Sequence, residues 1–532
     1  MSGNRNVLKQ VFTSPVLWYN ILRMEMYILK KKSLIIVGFC ILCVVIALVL
    51  LFLLNNKTNK VVLIKSTNEI ELVKTEYIED TYILNIDEDK AEYLKNNVVE
   101  AVNVIPTSDY TIKTNNQVLF ALKEMYDNNN YSDLIVRRGY LSDSDSVSAG
   151  VDDHKSGYDI DFFIKGKKWT EFEGNKSADD LVKNSYKYGF VLRYPNKDNY
   201  QPWHYRYVGK VNAKIMHDEN LTLFDYIDKL NNLELKQLYN VGGTDYILYI
   251  VNKEDIVVPK YFNYEISSLN SDKYVIIFNT KKDATINKLN DKNDIEEYDI
   301  NQLNILYDLA LINKDNEIPD GLLNSINLVS LTKYLSEDNN PEYVLDESVL
   351  KKMQPIMEEA NKLDRHTTYL TSSYRTYEDQ KALYDNGDKN LVQVPNHSEH
   401  QTGLAFDISN SYKPNTGFTE TYQGMWFKQH ANEYGFILRY PIDKVSITGI
   451  SNEQWHFRYV GELNATIIKE NNLTLEEYID YFDKDTIYEV SYNNKKYLFY
   501  KSSLTSNKIK TIKNNKNIYY LTSDTYLTIV EK

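Results

Sequence analysis

The sequence predicts an α+β protein in which an N-terminal transmembrane helix precedes two tandem α+β domains, each with a small β appendage. Three observations predict this fold: a long apolar run near the start, a segment that occurs twice, and helix and strand patterns in irregular order. A chain of 532 residues is also too long for one hydrophobic core. The predicted boundaries are 1–32 for a cytoplasmic tail, 33–54 for the anchor, 75–230 for the first domain, 231–285 for its appendage, 300–483 for the second domain and 484–532 for the C-terminal appendage.

The apolar run covers residues 34–54, which is about the length that crosses the hydrocarbon core of a bilayer. Lys30, Lys31 and Lys32 precede it, and basic clusters favour the cytoplasmic side. A cleaved signal peptide is the alternative, but it has a shorter apolar region and a small-residue cleavage site. We therefore expect one uncleaved helix in the cytoplasmic membrane, with the N-terminus inside and the domains outside the cell.

Composition excludes some partners. The formal net charge is −13, which argues against binding to nucleic acid. The only two cysteines, Cys40 and Cys43, lie inside the apolar run, so the external part contains no disulfide and depends on packed cores. The sequence leaves the oligomeric state open.

The repeat is the clearest sign of domain organisation. Residues 204–228 and 456–480 are identical at more than half of their positions, and residues 188–195 match 434–441 in the same way. Such similarity indicates two copies of one domain.

Within the second copy, helical and strand patterns follow each other without regular alternation, which is typical of an α+β domain. We expect helices over 346–363 (interrupted near Pro355), 377–384 and 426–434, with Gly435 as a C-cap, and strands over 404–408 and 436–440. Short apolar segments over 245–251, 274–278 and 487–532 predict the strands of the two appendages.

Two motifs of the second copy carry metal chemistry. Residues 398–407 read S-x-H-x-x-G-x-A-x-D, and residues 453–456 read E-x-W-H. His400, Asp407 and His456 would give zinc three ligands and leave one position open. Bound zinc lowers the pKa of a water molecule to about 7, and a carboxylate outside the ligand group then has to take up the proton. Glu453 is the candidate for that general base.

The order and spacing of these motifs resemble the VanY-type D-alanyl-D-alanine carboxypeptidases, a family of zinc peptidases that also includes L,D-carboxypeptidases and D,D-dipeptidases. Residues 372–380 are similar to the family segment S-G-Y-R-S-x-x-x-Q. The resemblance implies that Arg375 binds the substrate carboxylate, the oxyanion or both, and that Gln380 and Ser398 complete the carboxylate pocket. The chain departs from the family pattern at Gln454, where the family has proline.

The first copy is degenerate. His154, Asp161 and His204 keep the ligand spacing, which is compatible with a vestigial metal site. The other expected groups have changed, with Leu141 at the arginine position, Asp152 for the serine, Asp159 for the alanine and Gln201 for the general base. We therefore expect a domain without activity, in which Asp152 and Asp159 add negative charge near the site.

The resemblance implies a membrane-anchored extracellular zinc carboxypeptidase that hydrolyses the C-terminal peptide bond of peptidoglycan stem peptides. Two alternatives stay within enzymes: an L,D-carboxypeptidase or an endopeptidase on the same stems. A third is a cell-wall-binding protein without turnover. The presence of Glu453 argues against the third, since a binding module needs no general base.

Overall fold

The computed structural model describes residues 72–75, 82–83, 98–102, 104–142, 152–233, 237–241, 243–270, 272–281, 284–289, 295–387, 392–412, 417–513 and 516–532. The elements of the first copy and its appendage are numbered in chain order within these ranges. The strands are β1 (Leu72–Lys74), β2 (Tyr82–Ile83), β3 (Val98–Glu100), β4 (Lys113–Asn115), β5 (Leu134–Arg138), β6 (Asp159–Ile164), β7 (Phe190–Leu192), β8 (His204–Tyr207), β9 (Gln237–Val241), β10 (Thr244–Asn252), β11 (Val257–Pro259), β12 (Tyr264–Ser268) and β13 (Lys273–Asn279). The helices are α1 (Asn116–Asn129), α2 (Lys176–Asn184), α3 (Lys210–Glu219) and α4 (Leu223–Asn231).

The second copy and its appendage continue this numbering. The strands are β14 (Thr285–Leu289), β15 (Ile295–Asp299), β16 (Ile305–Leu306), β17 (Leu328–Ser330), β18 (Val344–Asp346), β19 (Thr368–Ser372), β20 (Ala405–Asn410), β21 (Phe436–Tyr440), β22 (Glu453–Tyr459), β23 (Ile487–Tyr492), β24 (Lys495–Ser503), β25 (Lys508–Ile512), β26 (Lys516–Thr522) and β27 (Thr525–Glu531). The helices are α5 (Asp320–Leu323), α6 (Glu347–Leu363), α7 (Tyr377–Asn386), α8 (Tyr422–His430), α9 (Val445–Thr448), α10 (Glu462–Glu470) and α11 (Leu475–Tyr481).

A four-stranded antiparallel sheet lies at the centre of each copy. The strand order is β5-β6-β8-β7 in the first copy and β19-β20-β22-β21 in the second. The register is also shared, because Asp161 pairs with His204 and Asp407 pairs with His456. A bulge interrupts the first strand pair of each sheet just before the residue opposite the aspartate. The repeated sequence therefore folds into the same sheet twice.

Helix ends follow local capping chemistry. α6 begins after Asp346, whose side chain accepts a hydrogen bond from the Ser348 N–H, and it continues across Pro355 to Leu363. The helix predicted over 426–434 instead begins at Tyr422, because Thr421 caps it, and a 3-10 turn (Ala431–Tyr434) follows it. The predicted strand Phe436–Tyr440 is confirmed.

Each appendage is a sheet that packs on the last two helices of its copy. Leu248, Val275 and Ile277 share a core with α3 and α4, and Val490 and Phe499 share one with α10 and α11. The strand order is β2-β12-β13-β10-β9 in the first sheet and β14-β23-β24-β27-β26-β16 in the second. Strand β14 precedes the second copy and strand β16 lies near its start, so the second sheet combines strands from before and after the central sheet of that domain.

Val73–Lys532 form one compact unit, in which the two copies contact each other. The Asn116 side chain donates to the Glu420 carbonyl oxygen at 3.2 Å, and the ring centres of Phe120 and Tyr422 lie 5.8 Å apart. Tyr422 belongs to the second copy, yet it is buried in the core of the first. The interface is therefore apolar at Tyr422 and hydrogen-bonded beside it.

The predicted fold class needs a correction. Over the ranges given above, the structure contains no helix with the length and apolar character needed to cross a membrane. The segment predicted to do so, residues 34–54, lies outside the described residues. The described fold is a mixed α and β structure with two similar domains, and the transmembrane helix does not belong to it.

The left-handed glycine after the 3-10 turn gives a testable constraint. Gly435 has φ +91°, and a Cβ there would lie 2.7 Å from Tyr459 Cε2 and 3.1 Å from Glu462 N. Gly449 has φ +71° with no atom closer than 4.0 Å. We expect G449A to cost only the conformational penalty of about 1 kcal/mol, and G435A to cost clearly more, because strain and collision add. Thermal unfolding of both variants measures the difference, and equal midpoints would contradict the collision.

Candidate metal centre and substrate cavity

Three side chains of the second copy meet where β20 and β22 pair. His400 lies in the 3-10 turn Glu399–Thr402, Asp407 on β20 and His456 on β22. Asp407 Oδ1 lies 3.0 Å from His456 Nδ1 and 3.4 Å from His400 Nε2. All three ligand atoms fall within 4.8 Å of one another. These separations suit one tetrahedral ion with bonds of about 2.0–2.2 Å.

Each imidazole makes a second contact through the ring nitrogen that points away from Asp407. His400 Nδ1 lies 2.8 Å from the carbonyl oxygen of Ser373, which can only accept, so Nδ1 carries the proton and Nε2 offers a lone pair. His456 uses the opposite nitrogen, since its Nε2 lies 3.3 Å from Glu399 Oε2. Metal-binding histidines characteristically have this second contact. Two oriented imidazoles and one carboxylate therefore fit a zinc-like ion.

Glu399 was not among the predicted site residues. Its Oε1 accepts from Arg439 Nε at 2.8 Å and lies 3.1 Å from Arg458 Nη1, and all three side chains are 0% exposed. Burial would raise the pKa of Glu399, but the charges of Arg439 and Arg458 hold it well below its usual value. The signal in the sequence was Arg439, which recurs as Arg193 in the repeat, because a buried arginine needs a carboxylate partner.

Glu453 begins β22 and lies beside the ligand group. Its Oε2 is 3.7 Å from His456 Nδ1, and its side chain is 10% exposed. Burial raises the pKa of Glu453 to about 7; the charge of Asp407 adds to the rise, and the charges of His456 and Arg375 oppose it. A carboxyl group with a pKa near neutrality is suited both to take up a proton and to give it away.

One cavity of about 300 Å³ joins these groups. Its lining contains all the predicted site residues of the second copy, namely Arg375, Gln380, Ser398, His400, Asp407, Glu453 and His456. Trp455 lines it as well. The sequence did not identify Tyr440, whose ring centre lies 4.9 Å from that of His456, or the apolar side chains of Leu383, Val392 and Ile450.

Arg375 points a positive charge into this cavity. Its N–H donates to the His400 carbonyl oxygen at 3.0 Å, and Thr376 caps α7 directly after it, so the backbone is fixed. The Nε atom is buried and has no hydrogen-bond partner among the residues described. A buried guanidinium atom without a partner is costly. The cavity is therefore suited to an anionic group of a ligand.

Gln380 and Ser398, the residues expected to complete the carboxylate pocket, are both buried at the cavity wall. Gln380 donates through Nε2 to the Gln393 carbonyl oxygen at 2.6 Å, and its buried Oε1 has no partner in the described part of the chain. Because a carbonyl oxygen cannot donate, this contact fixes the amide with Oε1 as an open acceptor. An open acceptor suits a substrate N–H better than a carboxylate oxygen. Ser398 is buried at the cavity wall, directly before the turn that carries His400.

The first copy repeats the ligand geometry. Asp161 Oδ1 lies 3.0 Å from His204 Nδ1 and 3.5 Å from His154 Nε2. His154 Nδ1 lies 2.7 Å from the Gly139 carbonyl oxygen, as His400 does from Ser373. These residues also fit a metal ion.

The catalytic positions of the first copy are altered as the sequence indicates. The Leu141 N–H donates to the His154 carbonyl oxygen at 3.2 Å, which is the contact that Arg375 makes in the second copy. The Gln201 N–H donates to the Tyr194 carbonyl oxygen at 3.2 Å, at the place where Glu453 pairs with Tyr440. An aliphatic side chain and a neutral amide thus replace the two charged groups.

An arginine nevertheless reaches the first site from another position. Arg138 stands opposite Asp161 in the strand ladder, where Ser372 stands opposite Asp407. Its Nη1 lies 3.5 Å from Asp161 Oδ2. The positive charge therefore faces the outer oxygen of a ligand carboxylate rather than a substrate cavity.

Asp159 lies beside the first site, as the sequence indicates, but its negative charge is paired with Arg206. Its side chain is 0% exposed, with Oδ1 3.2 Å from His204 Nε2 and Oδ2 2.9 Å from Arg206 Nη1. Asp159 is thus a neutralised partner behind His204. The side chain of Asp152, the other residue expected to add negative charge there, lies outside the described part.

Comparison with known proteins follows the same division into two copies. The VanY family model, described as D-alanyl-D-alanine carboxypeptidase, matches residues 94–210 and 342–462. The chain is 36% identical over 183 residues to the putative carboxypeptidase YodJ of Bacillus subtilis, covering 32% of this chain and 67% of that one. It is 32% identical over 211 residues to a D-alanyl-D-alanine carboxypeptidase of Enterococcus faecium, covering 40% of this chain and 64% of that one.

Two solved structures are each similar to about a third of this chain. A mutant of the vancomycin-resistance D,D-pentapeptidase VanY in complex with Zn(II) is 33% identical, with a TM-score of 0.27 over 32% of this chain and 99% of that chain. The LD-carboxypeptidase LdcB is 34% identical, with a TM-score of 0.29 over 33% of this chain and 87% of that chain.

Each matched segment contains one histidine–aspartate–histidine group, and the sequence identity extends over two thirds of the Bacillus relative. The predicted resemblance is thereby confirmed, and the chain belongs to the VanY family of D-alanyl-D-alanine carboxypeptidases.

Proposed function

We propose that the second copy is a zinc-dependent carboxypeptidase that removes the C-terminal D-alanine from peptidoglycan stem peptides. The observation that carries the proposal is the buried, unpartnered Nε of Arg375 in the cavity that also holds the ligand group and Glu453. The names of the relatives support the D-alanyl-D-alanine substrate. The chain covers just under two thirds of the enterococcal relative, so activity and substrate are both part of the proposal.

His400 Nε2, Asp407 Oδ1 and His456 Nδ1 would hold the metal. Zinc bound there would supply a Lewis acid and a nucleophile at neutral pH. Ser373 and Glu399 fix the two imidazoles, so the ligand atoms keep their directions without rearrangement.

The remaining groups orient the substrate and move the proton. Arg375 binds the terminal carboxylate, which places the last peptide bond next to the ligand group. Gln380 Oε1 accepts from a substrate N–H, and the apolar wall of Leu383 and Ile450 accommodates a small side chain. Glu453 takes up a proton at its carboxylate and returns it to the leaving amine, for which a pKa of about 7 is suitable.

We further propose that the first copy binds metal but does not catalyse. His154, Asp161 and His204 support the first part, and Gln201 and Leu141 support the second. For the whole protein we propose a location outside the cytoplasm, where peptidoglycan is found; the absence of cysteine from residues 44–532 is compatible with that location.

The role of Glu453 is tested by E453Q, which keeps the shape of the side chain but removes the proton acceptor. We expect hydrolysis of a pentapeptide stem to fall roughly 10²–10⁴-fold while the zinc content is unchanged. The matched variant Q201E in the first copy should gain no activity, because Leu141 leaves that copy without its arginine. Near-normal turnover by E453Q would contradict the proposed role.

Arg375 is tested by comparing stems with a free and an amidated C-terminus. Wild type should prefer the free carboxylate, and R375A should lose roughly 10- to 100-fold in kcat/KM on it and much less on the amide. R365A, at an arginine that is 56% exposed, is the control. Equal cleavage of both stems by wild type would indicate an endopeptidase. A tetrapeptide stem in the same assay distinguishes L,D from D,D cleavage by the mass of the product.

Metal binding by both copies is tested by removing one ligand at a time. Each copy should hold its own zinc ion, so H456A and H204A should each lose one ion after dialysis against zinc. Only H456A should lose activity. A zinc content that H204A leaves unchanged would contradict a metal site in the first copy.

A further inference from the structure

In each copy, a buried carboxylate contacts the second ligand histidine, His204 or His456, at the ring nitrogen that does not face the metal site. The two copies take that carboxylate from different positions in the chain. In the second copy it is Glu399, which directly precedes His400 and lies 3.3 Å from His456 Nε2. In the first copy it is Asp159, which lies on β6 and is 3.2 Å from His204 Nε2.

The register shows that these are different places in the fold. Asp159 pairs with Arg206 as Ala405 pairs with Arg458. The residue that matches Glu399 is Asp153, which is one methylene shorter. Its Oδ2 lies 3.8 Å from His204 Nε2 and 3.7 Å from Arg193 Nε, whereas Glu399 lies 3.3 Å and 2.8 Å from the corresponding atoms.

A second exchange accompanies the first. Arg439 forms two hydrogen bonds to Glu476, at 2.8 and 2.6 Å. In the first copy Phe224 takes the position of Glu476, and the Arg193 guanidinium lies over its ring at 4.6 Å. The carboxylate absent at Phe224 is therefore matched by the one gained at Asp159.

The buried charges balance in both copies. The second copy has Glu399 and Glu476 against Arg439 and Arg458, and the first has Asp153 and Asp159 against Arg193 and Arg206. Unpaired buried charges are strongly destabilising, so two arginines need two carboxylates. Charge balance alone would be met wherever those carboxylates lay beside the arginines. In both copies, however, one carboxylate lies next to Nε2 of the histidine, His456 or His204. Charge balance does not require that contact.

We infer that Glu399 is a positioning residue for the reaction, and that Asp159 has the same role at the first metal site. The carboxylate accepts the Nε2 proton of the histidine and so directs the Nδ1 lone pair towards the aspartate and the metal. Without it, the buried N–H would have no acceptor and the ring could adopt the wrong tautomer. The inference rests on the proposed function only where it concerns the reaction; its metal-binding part is independent of the substrate.

The test transfers the arrangement of the first copy into the second, in full-length protein that carries H204A so that only one site is measured. E399D is the mild variant, because the first copy folds with an aspartate at that place. We expect it to weaken zinc binding about 10- to 100-fold in competition with a chelator and to alter the absorption bands of the cobalt(II) protein. At saturating metal, kcat should fall while KM changes little.

The triple variant E399D/A405D/E476F reproduces the whole arrangement of the first copy and keeps the charges balanced. We expect it to recover zinc affinity and the cobalt spectrum close to those of the H204A parent. Wild-type affinity and spectrum in E399D would show that Glu399 has no positioning role. A folded triple variant that binds zinc as weakly as E399D would show that Asp159 is not its counterpart. Weakened zinc binding in E399D, together with an H204A parent that binds zinc but hydrolyses no stem peptide, would instead locate the failure in the proposed function.

Discussion

The antiparallel pairing of β20 with β22 is the constraint on which the site depends. It sets Asp407 directly opposite His456, so two metal-binding side chains project from neighbouring strands without any loop to position them. The third ligand, His400, lies on a turn that ends at Gly403, whose φ of +71° returns the chain to β20. The ligand group is thus fixed by paired strands of the central sheet, and sites on such elements are held more precisely than sites on loops.

The same pairing explains why the first copy keeps this geometry although Leu141 and Gln201 replace the arginine and the glutamate. Asp161 and His204 occupy the same register, and their closest atoms are again 3.0 Å apart. Leu141 and Gln201 differ only in side chain, and their backbone contacts match those of Arg375 and Glu453. Metal geometry is a property of the sheet in this fold, whereas catalysis depends on a few side chains that the sheet does not require.

The sequence was sufficient for the parts of the site whose chemistry is local. Two short motifs led to His400, Asp407, Glu453 and His456, which all line one cavity, because candidates for zinc ligands and for a general base are recognisable by residue type and spacing. Glu399 was missed because its partners lie 40 and 57 residues away, so only packing shows that Arg439 and His456 need a carboxylate.

Charge sign was a poor guide where burial decides the role. The sequence indicated that Asp159 adds a negative charge, but not that its side chain faces Arg206 and is completely buried. The predicted C-terminal appendage, residues 484–532, also lacked strand β14. Strand β14 pairs with β23 across the whole second copy, and no local pattern in the sequence predicts a pairing at that separation.

Contacts from the first copy extend to the strand that carries Glu453. Asn116 holds the Glu420 carbonyl oxygen, next to Thr419, whose hydroxyl donates to Gln454 at 2.7 Å. Tyr422, on the other side of Glu420, is buried in the core of the first copy. Residues 419–422, which lead into α8, are therefore held both by the first copy and by the residue after Glu453. The first copy therefore supports the second one whatever its own activity, because removing it would expose Tyr422 and release these contacts.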